Sequence, residues 1–455
     1  MVEYFKKYND CVLIFIRDTN LKSVSDVNAK IEKIIKNKFN FDFFYKDYKN
    51  ILKDKDIDIV LILTSMNEHA MIAREALLQK KHVLVEKPMA TNMNDLNKLF
   101  KLAKKSKKIL LAAPFVILSP TFQAIHQELN KGTIGKVSLA RARYGWAGPN
   151  WGEWYYQTGG GPLFDLGVYN ITTLTGLIGP VKSIIAKSSI SKAIRVINGK
   201  KIKVKTDDNF QITLEFKNKC LAVVTTGFTM QQYNSPAIEL YGADGTIQML
   251  GDDWEPKSYE VWDNKRSSWE LYKTPYANWP WASGFTHLID CIINKKKPLI
   301  NLDHAYHVNE IMIKIYESSQ KKKQISIKSS FQSLKFNTKI KIKKTYKNLE
   351  IIGTTLRKVI TANSNDWSAI AWSKNHGFAE AKPYPKLDIY DRVGGGDGFA
   401  SGFIYGIMEG LDLKEAIDIG TAHGALAMTT PGDTSMASIE EIQNLIKNPS
   451  ARVSR

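Results

Sequence analysis

At 455 residues the chain exceeds one ordinary core, and roughly 100–200 residues per domain predicts two to four domains. A hydrophobic content of 44% with 24% charged residues excludes disordered and collagen-like classes. The net charge of +19 would suit a nucleic-acid partner, but the lysines are scattered and no nucleic-acid-binding motif accompanies them, so they read as solvated faces and a basic linker.

Val12–Ile16 reads as a buried strand, Val24–Ile35 as a helix, Phe41–Tyr45 as a short strand and Asp47–Leu52 as a helical turn. The strand Ile57–Leu63, the helix Glu68–Gln79 and the strand His82–Val85 follow, and such apolar runs suit parallel strands buried on both faces. From about Ser138 the texture turns to long β-prone runs at 137–144, 209–216, 221–228 and 237–241, which predicts a mostly antiparallel sheet. Helical periodicity returns at Ala282–Ile293 and His304–Ser319. Residues 320–347 are polar and lysine-rich, and the join between two pieces is placed there, near residue 335. Beyond it, strand-like 349–353 and 368–372 precede a glycine turn at 394–396 and helices at Phe399–Glu409 and Leu413–Met428.

No apolar run approaches the ~20 residues of a membrane-spanning helix. Cys11, Cys220 and Cys291 stand far apart without metal-ligand or redox spacing, the pattern of reduced, cytoplasmic thiols. No membrane partner and no metal site is expected.

Val83-Leu84-Val85-Glu86-Lys87-Pro88 puts a lysine at the carboxyl end of an apolar strand, where open α/β sheets bind ligands; a surface turn would read the same way. Gly159-Gly160-Gly161-Pro162-Leu163-Phe164-Asp165-Leu166-Gly167-Val168-Tyr169 follows. Asp165 and Tyr169 are four apart and would share one helix face, either as chemistry or as a cap and a core residue. Asn150, Trp151, Trp154, Tyr155 and Tyr156 ahead of the glycines could stack on a sugar or serve packing alone.

Together these motifs resemble the glucose-fructose oxidoreductase and inositol dehydrogenase family (Gfo/Idh/MocA) over about residues 8–330. Further matching pieces are Asp56-Ile57-Asp58, Thr64 with His69 beyond it, and Tyr241-Gly242-Ala243-Asp244-Gly245. The resemblance implies that Lys87 reaches a sugar hydroxyl, that Asp165 orients substrate or lysine, and that Tyr169 exchanges a proton. It assigns Thr64, His69 and Glu86 to the cofactor side. Asp18 takes the place of the acid that binds the adenosine ribose, which favours NAD, while Arg17 leaves NADP open. Family members begin with a strand and a G-x-G-x-x-G turn that this sequence does not show ahead of Val12. Each charge-assisted hydrogen bond to a pyrophosphate is worth ~1.5–3 kcal/mol, so the expectation is weakened cofactor binding and a central strand missing from the sheet.

Asp391-Arg392-Val393-Gly394-Gly395-Gly396-Asp397-Gly398-Phe399 leads into a helix. Glycine N–H groups there can form an anion pocket and a carboxylate can take a proton from an attacking hydroxyl; a flexible loop with Asp397 as a cap is the alternative. With Thr354-Thr355-Leu356-Arg357, Ser364-Asn365-Asp366-Trp367 and Ala422-His423-Gly424-Ala425, this segment resembles the C-terminal part of ribokinase-like sugar kinases, closest to 2-keto-3-deoxygluconate kinase. That likeness makes Asp397 the general base and Gly394, Gly395 and Gly396 the anion hole. ATP and Mg belong to this segment if it functions.

The expected fold is α/β: a truncated Rossmann domain at 1–118, a substrate-binding domain with a mostly antiparallel sheet at 119–330, a basic linker at 331–345 and a partial kinase segment at 346–455. The expected function is hydride transfer between a nicotinamide cofactor and a sugar or sugar acid, in a homo-oligomer. A carbohydrate-kinase fragment, and an inactive fusion or sugar-binding module, remain as alternatives.

Overall fold

The computed structural model describes residues 12–17, 20–25, 43–234, 236–274, 283–334, 336, 350–361, 363–391, 393–432 and 435–448. The chain divides into two compact units, residues 1–336 and 337–455.

In the first unit β1 (Val12–Arg17), β2 (Asn20–Ser25), β3 (Phe43–Tyr45), β4 (Ile59–Leu63), β5 (His82–Val85) and β6 (Leu110–Ala112) form one sheet in the order β3-β2-β1-β4-β5-β6. β4, β5 and β6 are parallel. Their alternation serves two cores: Val60, Ile62, Val83 and Val85 pack with the helices His69–Leu78 and Met93–Lys105, while Leu61, Leu84 and Leu111 join the core of the larger sheet.

Two features of this sheet differ from the sequence expectation. Asn20–Ser25 is a strand, so Val24 does not begin a helix; it is fully buried and pairs with Phe44, a setting that suits its β-branched side chain. Residues 26–35 lie outside the described residues. The sheet is also not wholly parallel, because β1 runs antiparallel to both β2 and β4. A bare edge on β4, inside an apolar layer, would leave N–H and C=O groups unpaired, and the tight β1–β2 hairpin supplies the partner strand.

The second layer holds β7 (Val137–Gly145), β8 (Val181–Ser189), the hairpin β9 (Ile194–Ile197) and β10 (Lys200–Lys203), then β11 (Asn209–Phe216), β12 (Leu221–Gly227), β13 (Ile238–Gly242), β14 (Gly245–Asp252), β15 (Glu255–Asp263), β16 (Ser268–Lys273) and β17 (Ile325–Ser326). Nine of these strands make a sheet ordered β16-β15-β14-β13-β7-β12-β11-β8-β17, antiparallel except at β7–β12. Phe210, Ile212, Leu214 and Phe216 alternate inward along β11, onto a core shared with the helices Pro120–Lys131, Val168–Ile178 and Leu302–Lys321.

The helix Leu302–Lys321 is fastened through buried histidines. His304 Nε2 lies 2.8 Å from Thr175 Oγ1. The Val181 N–H donates to His307 Nε2 at 3.0 Å, which leaves Nδ1 to face Ser329 Oγ at 2.7 Å. Glu310 accepts from the N–H groups of Lys328 and Ser329, so the segment beyond the helix is pinned back onto it.

In the second unit β18 (Ile351–Thr361), β19 (Ser364–Ser373), β20 (Gly377–Glu380) and β21 (Tyr384–Asp388) form an antiparallel sheet, with β18, β20 and β21 all paired to β19. Both predicted strands therefore run longer than their apolar centres. Helices at Gly395–Met408, Leu413–Met428 and Ile439–Lys447 follow, the last opened by a Ser438–Glu441 capping box that the sequence reading missed. Gly402 and Gly406 let the first two of these helices touch backbone to backbone: a Cβ on Gly406 would sit 2.7 Å from Ala416 Cα. Among the described residues no helix is long and apolar enough to cross a membrane.

Burial pushes His304 down to about 3 and His307 down to about 4. The unfolded chain takes up these protons near pH 6.5 while the folded state refuses them, so stability is full above that pH and drains away as the pH falls toward 4. Urea unfolding of the full chain should show a loss on the order of 2 kcal/mol per histidine between pH 7 and pH 5. A flat stability profile over that interval would contradict the buried, neutral assignment.

Candidate active site

β4 and β5 end side by side, and the chain leaving them carries Thr64, Glu86 and Lys87. The Glu86 N–H continues the ladder by donating to the Ile62 carbonyl at 2.9 Å. The Lys87–Pro88 peptide is cis. Lys87 Nζ donates to Asp165 Oδ1 at 2.5 Å and to the Asp165 carbonyl at 2.8 Å, and both side chains are only 11% exposed.

Asp165 lies in a π-helical turn, Leu163–Gly167, which runs into the helix Val168–Ile178. The expectation that Asp165 and Tyr169 share an α-helical face is corrected in this detail: the wider turn sets their relation, and both line one cleft. Lys87 Nζ stands 5.5 Å from the Tyr169 ring centre, and Tyr144 meets that ring edge-on at 5.7 Å. Burial, reinforced by Glu86, Tyr144 and Asp165, holds the Tyr169 phenol well above its ordinary range.

His69 is buried, with Nδ1 2.8 Å from the Pro88 carbonyl and Nε2 2.9 Å from the Thr64 carbonyl. It ties the end of β4 to the Lys87–Pro88 turn, and burial lowers its basicity. Thr64 lines the same cleft, its hydroxyl directed at the Ser65 carbonyl.

The cleft measures about 710 Å³. Trp151, Trp154 and Tyr155 form one wall, with Trp154 stacked on Tyr155 at 3.7 Å. Tyr156 turns away: fully buried, it donates to the Pro149 carbonyl. This aromatic segment is propped by Arg195, which pairs with buried Asp208 and donates to the Ala147 carbonyl. A Cβ on Gly160 would lie 2.3 Å from the Trp154 carbonyl oxygen, so a glycine is required where the chain doubles back toward Asp165.

The sequence reading did not select Tyr144, Trp146, Tyr233, Asp252 or Trp254, which also line the cleft. Tyr144 is a strand residue like its neighbours. Asp252 and Trp254 sit at the β14–β15 reversal, where Gly251-Asp252-Asp253 signals only a turn.

For a nicotinamide dinucleotide the described residues would hold the ring end. Thr64, Glu86 and Lys87 stand at the carboxyl ends of adjacent parallel strands, with Leu63 and Met66 as apolar floor, and this donor set fits. Asp18, assigned to the adenosine ribose, lies outside the described residues.

In the second unit Gly394, at φ +85°, caps the helix Gly395–Met408, and Gly395, Gly396 and Asp397 occupy its first turn, with Asp397 exposed. The glycines and the carboxylate are thus brought together at a helix N-terminus. His423 faces Ser401 at 3.1 Å on the neighbouring helix, while Arg357 and Ser364 lie on β18 and β19.

Residues 6–113 match the oxidoreductase family with an NAD-binding Rossmann fold, residues 122–248 match the Gfo/Idh/MocA C-terminal domain, and residues 344–440 match the pfkB family of carbohydrate kinases. A trans-1,2-dihydrobenzene-1,2-diol dehydrogenase of Xenopus tropicalis is 26% identical over 279 residues, which is 59% of this chain and 80% of that protein. A myo-inositol 2-dehydrogenase of Thermotoga maritima is 25% identical over 236 residues, 52% of this chain and 69% of that protein. A levoglucosan dehydrogenase solved with NADH and L-sorbose superposes with a TM-score of 0.61 at 22% identity, covering 68% of this chain and 90% of that one, a likeness of fold. With Lys87 at a strand end of a Rossmann sheet paired to Asp165 of the π turn, the chain belongs to the Gfo/Idh/MocA oxidoreductase family and carries a pfkB carbohydrate-kinase segment behind it.

Proposed function

We propose that the cleft exchanges a hydride between NAD(H) and a carbinol of a sugar or sugar acid, with Lys87, Asp165 and Tyr169 as its catalytic residues. The observation that carries this reading is the approach of the Lys87 ammonium and the Tyr169 ring, 5.5 Å apart, in one cleft beside the ends of β4 and β5. NAD, when bound, supplies the hydride acceptor. Asp165 holds the Lys87 side chain at a fixed place; as the neutral amine Lys87 would take the proton of the carbinol oxygen and become the ammonium bonded to Asp165, and in the reverse direction that ammonium would return the proton to the carbonyl oxygen. The raised Tyr169 phenol keeps its proton in neutral solution, so Tyr169 donates a hydrogen bond to that same oxygen and is not the base. His69 keeps the Lys87–Pro88 turn in place, and the Trp151, Trp154 and Tyr155 faces stack on the C–H face of the ring.

A homo-oligomer belongs to the same reading. Leu139 and Leu221, paired in register on adjacent strands, and Val223 beyond them are exposed on the face of the large sheet turned away from its helices, and the same face of a second copy would cover them. A cytoplasmic setting belongs to the same reading, supported by Cys220 and Cys291, which stand free and buried.

The kinase-like unit is read as catalytically silent by itself, because Asp397 stands exposed at an open helix start.

Incubation of the purified chain with NAD and a panel of sugars should produce reduced nicotinamide absorbance. Lys87→Ala should lower kcat/KM by about 10²–10⁴-fold, and Tyr169→Phe by roughly tenfold. Undiminished turnover by Lys87→Ala would remove the assignment. With ATP, Mg and 2-keto-3-deoxygluconate, no phosphorylated product is expected; its formation, abolished by Asp397→Asn, would instead make the second unit a working kinase.

A further inference from the structure

The lining of the cleft is unbalanced in charge. Glu86, Asp165 and Asp252 bring three carboxylates to it, against the one ammonium of Lys87, which is already bonded to Asp165. The only other titratable nitrogen among these lining residues is on His69, whose ring faces two backbone carbonyls. Among the described lining residues a substrate carboxylate would therefore meet like charges and no cation of its own, and would give up water without a partner. A neutral hydroxyl both donates and accepts, so it suits carboxylates, phenols and the Gln231 and Gln232 amides alike.

Asp252 is the carboxylate of this set held apart from Lys87. It sits at the β14–β15 tip and accepts from the Tyr233 hydroxyl at 3.2 Å. Its neighbour Asp253 is fully buried and accepts from Asn170 at 2.8 Å and Thr173 at 2.6 Å, both on the helix that carries Tyr169. The tip is thus fastened to the catalytic helix, which fixes Asp252 and Trp254 at the cleft.

We propose that the cleft selects neutral polyols over the corresponding sugar acids, and that Asp252 is a specificity-determining residue that accepts a substrate hydroxyl and turns a carboxylate away. The proposal rests on the reading of this cleft as the carbinol site.

The test pairs neutral sugars and cyclitols with their own uronates or aldonates on the full chain. Binding is read by quenching of the cleft tryptophans and turnover by nicotinamide absorbance. The neutral member of each pair should bind more tightly and show the higher kcat/KM. Asp252→Asn should shift the ratio toward the acid by about 3- to 10-fold, and added salt should narrow the gap in the unsubstituted protein. Preference for the acids, a ratio unmoved by Asp252→Asn, or no quenching by any neutral sugar would each overturn the proposal. Quenching by neutral sugars without any turnover would leave this selectivity standing and remove the redox reading. Turnover that favours the acids would do the reverse.

Discussion

The first unit is organised around one ion pair. Lys87 leaves the end of β5 and Asp165 leaves the turn beneath the large sheet, so their bond adds a polar tie between two layers that already share one hydrophobic core. Both side chains are nearly out of water, and losing either partner of such a pair costs about 3–5 kcal/mol because the other is stranded. The second hydrogen bond, to the Asp165 carbonyl, restricts the amine further and leaves it little freedom to wander from Tyr169. The aromatic wall and the β14–β15 tip then take their places around a fixed centre.

Local pattern made much of this legible. The parallel strands β4 and β5, the long alternating strands of the second layer and the helices at 283–293 and 302–321 follow directly from apolar periodicity. Lys87, Asp165 and Tyr169 stood out because short motifs carry them, and the structure places the three in one cleft. Asp252 and Trp254 were not, since their role depends on a hairpin tip folding across the molecule onto Asn170 and Thr173, contacts about eighty residues away in sequence. The reversed direction of β1 was equally hidden, because a fully apolar strand has the same texture whichever way it runs.

The kinase-like unit has its own core, built on Trp367, Phe399 and Ile417. Its glycines divide by task. Gly394 bends the chain at a positive φ ahead of the helix, whereas Gly402 and Gly406 recur at four-residue spacing because a neighbouring backbone passes there. That four-residue spacing is visible in the sequence, though nothing local says which backbone passes there.

The π turn at Leu163–Gly167 is a matter of phase. Each residue of an ordinary helix advances about 100° around the axis, and the wider turn accommodates one residue more than a regular turn would. Deleting a single residue there would restore regular winding and turn Asp165 and its carbonyl away from Lys87, leaving the side chain intact yet misplaced against its partner. The Lys87–Asp165 contact is therefore guarded by chain length at five positions as much as by the identity of what stands on them.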